Sequence, residues 1–153
     1  MTKLKEGQKA PFFEGTDQKG NNIKLDDFKG KKLILYFYPK DNTPGCTAEA
    51  CDLRDNYKDL LDKGYAVIGI SPDSEKSHSK FAEKFDLPFP LIADTERIIL
   101  SAYGTWGEKK MYGKTFLGVK RMTFIIDEQG VIEKIISKVK TKEHTAQIYS
   151  LYQ

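Results

Sequence analysis

The order of apolar segments predicts an α/β protein of three layers, with a central mixed β-sheet and a small hairpin at the N-terminus. Continuous apolar runs at residues 33–38 and 66–71 have the look of strands buried on both faces. A helical pattern follows each of them. Near the C-terminus, residues 122–126 and 131–137 flank the turn Asp127-Glu128-Gln129-Gly130 closely enough to pair as an antiparallel hairpin. Parallel strands need a crossover and antiparallel strands a tight turn, so a chain with both connections builds a mixed sheet.

Taken in order, residues 10–13 and 21–25 bracket the turn-rich Gln18-Lys19-Gly20-Asn21 and read as the N-terminal hairpin, covering one end of the larger sheet. The run from Leu33 to Tyr38 lies between Lys31-Lys32 and Pro39 and is placed at the centre of the sheet. A helix is expected over residues 44–63, with Ala50, Leu53, Tyr57, Leu60 and Leu61 on one face. Thr43 is its N-cap, Pro44 its first residue and Gly64 its stop. The strand at 66–71 leads through Pro72-Asp73 into a helix carrying Phe81 and Phe85. Residues 91–93 read as a short strand, 97–103 as a short helix ending at Gly104, and 143–151 as a last amphipathic segment. Tyr103, Trp106, Met111, Tyr112 and Phe116 fall in an aromatic-rich loop that either packs as core or lines a substrate or partner surface.

At 153 residues the chain has the size of one domain, expected to span residues 1–153. Hydrophobic residues at 39% and charged residues at 31% exclude a disordered chain. The net charge of +3, with both signs interspersed, argues against nucleic acid as a partner. The longest apolar run is six residues, far short of the ~20 a membrane helix needs, so no membrane partner is expected. The first residues lack the pattern of a secretory or transit leader, which predicts a cytoplasmic protein. In a reducing compartment, two cysteines five residues apart point to catalysis or metal binding rather than a structural staple.

Chemistry concentrates at Pro39-Lys40-Asp41-Asn42-Thr43-Pro44-Gly45-Cys46, which joins the central strand to the long helix. With Thr43 as N-cap, Cys46 is the third helical residue. There the unpaired backbone N–H groups and the helix dipole favour a thiolate, so its pKa is expected to fall below the free value of about 8.5. The thiolate is the species that attacks an electrophile. On a straight helix, Cα atoms five residues apart are separated by about 8.6 Å. A disulfide needs them within about 7 Å, so Cys46 and Cys51 cannot bond across an intact helix. Cys46 lies near the Ala50, Leu53, Tyr57 stripe and Cys51 well off it.

This segment resembles the active site of the peroxiredoxins, whose pattern is Pro, three residues, Thr or Ser, two residues, Cys. Pro39, Thr43 and Cys46 match it in full. More narrowly, the chain is similar to the bacterioferritin comigratory protein group, also called peroxiredoxin Q. The likeness lies in Tyr36-Phe37-Tyr38-Pro39-Lys40-Asp41-Asn42-Thr43-Pro44-Gly45-Cys46-Thr47, Gly69-Ile70-Ser71-Pro72-Asp73-Ser74 and Arg121-Met122-Thr123-Phe124-Ile125-Ile126-Asp127, and it covers nearly the whole chain. The resemblance implies a thioredoxin-like fold and reduction of hydrogen peroxide and organic hydroperoxides, with no metal or organic cofactor. It makes Cys46 the nucleophile, Thr43 and Arg121 the groups that activate it and stabilise the leaving oxygen, and Pro39 its shield from water. By the same resemblance Cys51 resolves the Cys46 sulfenic acid as an intramolecular disulfide, and thioredoxin or a similar dithiol reductant recycles it. A monomer is expected.

Other readings are weaker. A thioredoxin-type dithiol oxidoreductase needs Cys-x-x-Cys, and the spacing here is wider. Cys46, Cys51, His78 and His144 lack the spacing of a metal site, and both histidines are expected to be partly packed or exposed. Gly113-Lys114-Thr115 lacks the earlier glycine of a phosphate loop, because Glu108 stands there. A non-catalytic binding module of the same fold would have no use for a fast-reacting Cys46.

Overall fold

The computed structural model describes residues 2–152. The chain runs β1 (Glu14–Thr16), β2 (Asn22–Lys24), β3 (Lys32–Phe37), α1 (Pro44–Asp55), α2 (Tyr57–Asp62), β4 (Tyr65–Ser71) and α3 (Glu75–Phe85). It continues β5 (Leu91–Ala93), α4 (Ile98–Ala102), β6 (Trp106–Met111), β7 (Lys114–Val119), β8 (Met122–Ile126), β9 (Ile132–Ile136) and α5 (His144–Ser150). Five strands form the central sheet in the order β5-β4-β3-β8-β9. β3 is parallel to β4 and antiparallel to β8, so the sheet is mixed, as the connections required.

Because successive side chains of a strand face opposite ways, β3 serves two cores. Leu33, Leu35 and Phe37 pack with Ile68, Ile70, Phe124, Phe13 and Leu100, under α4 and the N-terminal hairpin. Ile34 and Tyr36, with Tyr38 just beyond the strand, pack with Ala50, Leu53, Leu60, Phe81 and Ile148, supplied by α1, α2, α3 and α5. All three layers are therefore present. Burial on both faces explains why β3 is apolar throughout instead of alternating.

The structure departs from the expected elements in four places. The first strand of the small hairpin is Glu14–Thr16 rather than residues 10–13, because the preceding segment bonds to the β9 end of the sheet. There Gly7 N–H reaches Ile132 O, and Ala10 N–H reaches Gly130 O. The helix expected over 44–63 breaks at Asn56, whose side-chain amide donates to Asp52 O at 2.8 Å and competes with the helical ladder. The aromatic loop is instead the β6–β7 hairpin. Its two-residue turn places Tyr112 at φ 54° and Gly113 at φ 77°, the left-handed pair that matches the twist of flanking strands.

The fourth departure is that His78 and His144 are both wholly buried. His78 Nε2 faces Ile92 O at 3.0 Å, and Nδ1 lies 2.7 Å from Asp41 Oδ2. A carbonyl only accepts, so Nε2 carries a hydrogen, and the short Nδ1 contact requires a proton shared with the carboxylate. Tyr38 and Ser77 hydroxyls donate to the same carboxylate, and Asp41 N–H donates to Asp73. His78→Leu removes the ring nitrogen that bonds this buried carboxyl group. Denaturant unfolding should register a loss of about 1–3 kcal/mol, and no loss would show that the hydroxyls suffice.

Candidate active site

Antiparallel pairing of β3 with β8 puts Phe37 opposite Met122, so the end of β3 and the start of β8 lie side by side. Two segments meet there as a result: the loop from Pro39 to Thr43 that opens α1, and Arg121, the residue before β8. Cys46 sits in the first turn of α1, only 2% exposed. Arg121 Nη2 donates to Cys46 Sγ at 3.3 Å, and its Nη1 donates to Glu49 Oε1 at 2.8 Å. One planar guanidinium thus holds two groups three residues apart on one helix face.

The backbone makes room for this. A Cβ on Gly45 would lie 3.2 Å from Arg121 Nη2, so the guanidinium rests closely on the space that this glycine leaves open. Thr43 occupies the N-cap position with extended backbone, yet its hydroxyl makes no cap bond. It donates instead to Lys40 O at 2.8 Å, closing the loop on itself and leaving the oxygen lone pairs free to accept. The first helical bond is Thr47 N–H to Thr43 O. Helix geometry therefore gives the Gly45 and Cys46 N–H groups no carbonyl of their own, and they point out of the helix start. Pro39 is half-buried directly after the central strand.

Cys51 lies farther along the same unbroken helix, half-buried, and both thiols are free. Burial pushes the Cys51 thiol up, with Arg54 opposing and Asp55 adding to the rise. Pro39, Thr43, Cys46 and Arg121 converge on one helix start, whereas Cys51 stands more than a turn away.

Sequence reasoning missed Glu49. It is fully buried, and desolvation raises its carboxyl to about 7 despite the opposing charge and hydrogen bond of Arg121, with Asp52 adding to the rise. Its other oxygen, Oε2, has no hydrogen-bond partner among the described residues and lies 3.5 Å from His144 Nε2. The signal was available, since a carboxylate three residues after Cys46, beside Ala50, falls on an inward face. For His144 there was none beyond its place at the start of the last helix.

This arrangement, a buried thiol at a helix start with an arginine fork on it beneath a mixed sheet, defines a thiol-based redox enzyme of thioredoxin-like fold. Residues 6–135 match the AhpC/TSA family. Peroxiredoxin Bcp of Bacillus subtilis is 48% identical over 141 residues, covering 92% of this chain and 90% of the relative. Peroxiredoxin Bcp of Escherichia coli is 45% identical over 144 residues, covering 94% and 92%. The bacterioferritin comigratory protein of Xanthomonas campestris, solved in trapped intermediate and ligand complexes to explain its alkyl peroxide reduction activity, superposes with a TM-score of 0.88. It is 32% identical, with 96% of each chain covered. The chain belongs to the AhpC/TSA family and, within it, to the peroxiredoxins of the Bcp or Q type.

Two outcomes follow from the geometry. Gly45→Ala should displace Arg121 Nη2 by a few tenths of an ångström. The weakened hydrogen bond should slow alkylation of Cys46 at neutral pH by at most roughly 10-fold, and an unchanged rate would show that the fork has slack. Glu49 titrates higher in the folded chain than its ordinary value of 4.5. Its burial therefore carries no penalty for ionisation while it is protonated, and stability falls as pH rises from about 4.5 through about 7, by about 3 kcal/mol in all. Unfolding of Glu49→Gln at pH 5 and pH 8 should lack that part of the decline.

Proposed function

We infer that this peroxiredoxin reduces hydrogen peroxide and organic hydroperoxides through Cys46, as part of antioxidant defence, and is recycled through a Cys46–Cys51 disulfide by thioredoxin or a similar dithiol. The observation that carries the reading is the Arg121 fork on the buried Cys46 sulfur. The alkyl peroxide reduction activity of the Xanthomonas campestris relative supports the substrate class. The reading makes the enzyme an atypical two-Cys peroxiredoxin, acting as a single-domain monomer in the cytoplasm. Among the described residues, no helix is long and apolar enough to cross a membrane.

Arg121 stabilises the Cys46 thiolate, and the thiolate attacks the terminal oxygen of the peroxide. A sulfur–oxygen bond forms as the O–O bond breaks, so Cys46 becomes a sulfenic acid and the leaving oxygen departs as hydroxide or alkoxide, taking a proton from solvent. Thr43 accepts the peroxide hydroxyl, since its own hydrogen is committed to Lys40 O. The Cys46 N–H and Arg121 face the charge that develops on the oxygens, where preorganised donors lower the barrier most. Pro39 keeps water from the sulfur. The Cys51 thiolate then attacks the Cys46 sulfur and expels hydroxide, and a dithiol returns both thiols to the reduced state.

Cys46→Ser should abolish peroxide reduction, because a hydroxyl supplies no anion here at neutral pH. Cys51→Ser should keep the first turnover and stop cycling with thioredoxin; cycling at the wild-type rate would remove Cys51 from the mechanism. Arg121→Ala should slow peroxide reduction roughly 10²-fold, with Arg121→Lys rescuing only in part, because a point charge lacks the fork. The disulfide form should lose helix around residues 44–54 and melt below the reduced form. Hydrogen exchange that finds this stretch equally protected in a confirmed disulfide state would sink the unwinding step.

A further inference from the structure

The contacts behind Arg121 continue past Glu49 into the C-terminal helix. Gln147 is pinned: its carbonyl oxygen accepts from Lys140 N–H at 2.9 Å, and its amide donates to Lys138 O at 2.8 Å. His144 Nδ1 faces that same carbonyl oxygen at 3.0 Å, so Nδ1 carries a hydrogen. His144 Nε2 then looks inward, at Thr123 Oγ1 2.8 Å away and Glu49 Oε2 3.5 Å away. If Nε2 is bare, it accepts from Thr123, and a bare Glu49 oxygen beside it would set lone pair against lone pair in a wholly buried place. A proton on either Nε2 or Oε2 removes the conflict. The corner formed by Glu49, His144 and Thr123 is built to hold one proton that the thiol chemistry does not consume.

We propose that His144 is a positioning residue for the peroxidase chemistry: through this buried pair with Glu49 it sets how Arg121 is shared between the Glu49 carboxyl and the Cys46 sulfur. The inference rests on the peroxidase reading and adds a control to the same site. With the pair protonated, Glu49 is neutral and the charge of Arg121 goes to the sulfur. With the proton gone, the Glu49 carboxylate draws on the same guanidinium. Burial raises the Glu49 carboxyl to about 7 and lowers His144, which favours the proton on Glu49. The groups facing Glu49 are Cys46 and Asp52 on its own helix, Arg121 and Thr123 from the start of β8, His144 from α5 and Tyr36 from β3. Asp52 is held in place by accepting Thr145 N–H at 2.7 Å, which docks α5 onto α1.

The test is a double-mutant cycle read as the pH profile of Cys46 alkylation by iodoacetamide, in a Cys51→Ser background so that one thiol reports. His144→Leu should shift the profile and change the rate near pH 7 by about 3-fold or more, the lower end of coupling between residues in contact. In Glu49→Gln, whose side chain holds no titrating proton, the same His144→Leu change should have no further effect on the profile. His144→Gln supplies the identical cycle if the leucine variant does not fold. A profile that His144 substitutions leave unmoved, or move equally in both Glu49 backgrounds, would reduce His144 to packing and overturn the proposal. Alkylation needs no peroxide, so loss of the peroxidase reading would appear separately, as a wild-type enzyme that fails to consume hydrogen peroxide.

Discussion

The guanidinium of Arg121 is the constraint on which the site depends. Its two terminal nitrogens are fixed on Cys46 Sγ and Glu49 Oε1, so it reads the helical spacing of α1 as well as the position of the sulfur. That fork also ties the first turns of α1 to the start of β8, across the edge where the central strand ends. Three features of the sequence must agree for it to form. The β3–β8 register must bring Met122 beside Phe37, the residue at 45 must leave room for the guanidinium, and an acid must stand three residues after the cysteine. All three serve the same few ångströms.

Burying Glu49 in that position costs stability, since an ionised carboxylate in an apolar setting is compensated only in part by one arginine. The same helix face could carry a leucine at no such cost. The surrounding frame tolerates the loss because both faces of β3 are closed, with Leu33, Ile34, Leu35, Tyr36 and Phe37 all fully buried. A rigid, wholly apolar strand thus holds a polar cluster at its end. Natural sequences depart from core-packing logic at such functional places, and the departure marks them.

How far the sequence disclosed this follows from what kind of signal each feature leaves. β3, β4 and β5 were visible because burial on both faces writes an unbroken apolar run, and the start of α1 because Thr43 and Pro44 are helix-start residues. Asn56 was hidden because its break comes from a side chain bonding the backbone one turn earlier, which no apolar period reports. The β6–β7 hairpin was hidden because Glu108, Lys109, Lys110 and Lys114 mask its alternation and Tyr112, 96% exposed, replaces the usual Asn or Asp of its turn. Cys46 and Arg121 came from a motif. His78 and His144 did not, because a buried polar residue has meaning only through partners far away in the chain, and those partners appear when the layers close.

The two thiols lie between two polar anchors, and this bears on how they could meet. Before them, Asp41 is held by Tyr38, Ser77, His78 and Asp73. After them, Asp52 is held by the start of α5 through Thr145. Asn42, next to the first anchor, sits at φ 58°, in the left-handed region that asparagine tolerates. Between Asn42 and Cys51 the helix is held by the Arg121 fork, by the apolar contacts of Cys46 and Ala50 and by the turn at Thr141. In the proposed cycle, oxidation of Cys46 changes the sulfur that one arm of the fork holds, at the step when Cys51 must reach it. The anchors on either side would then confine any unwinding to the residues between them, with the sheet and its two cores outside that stretch.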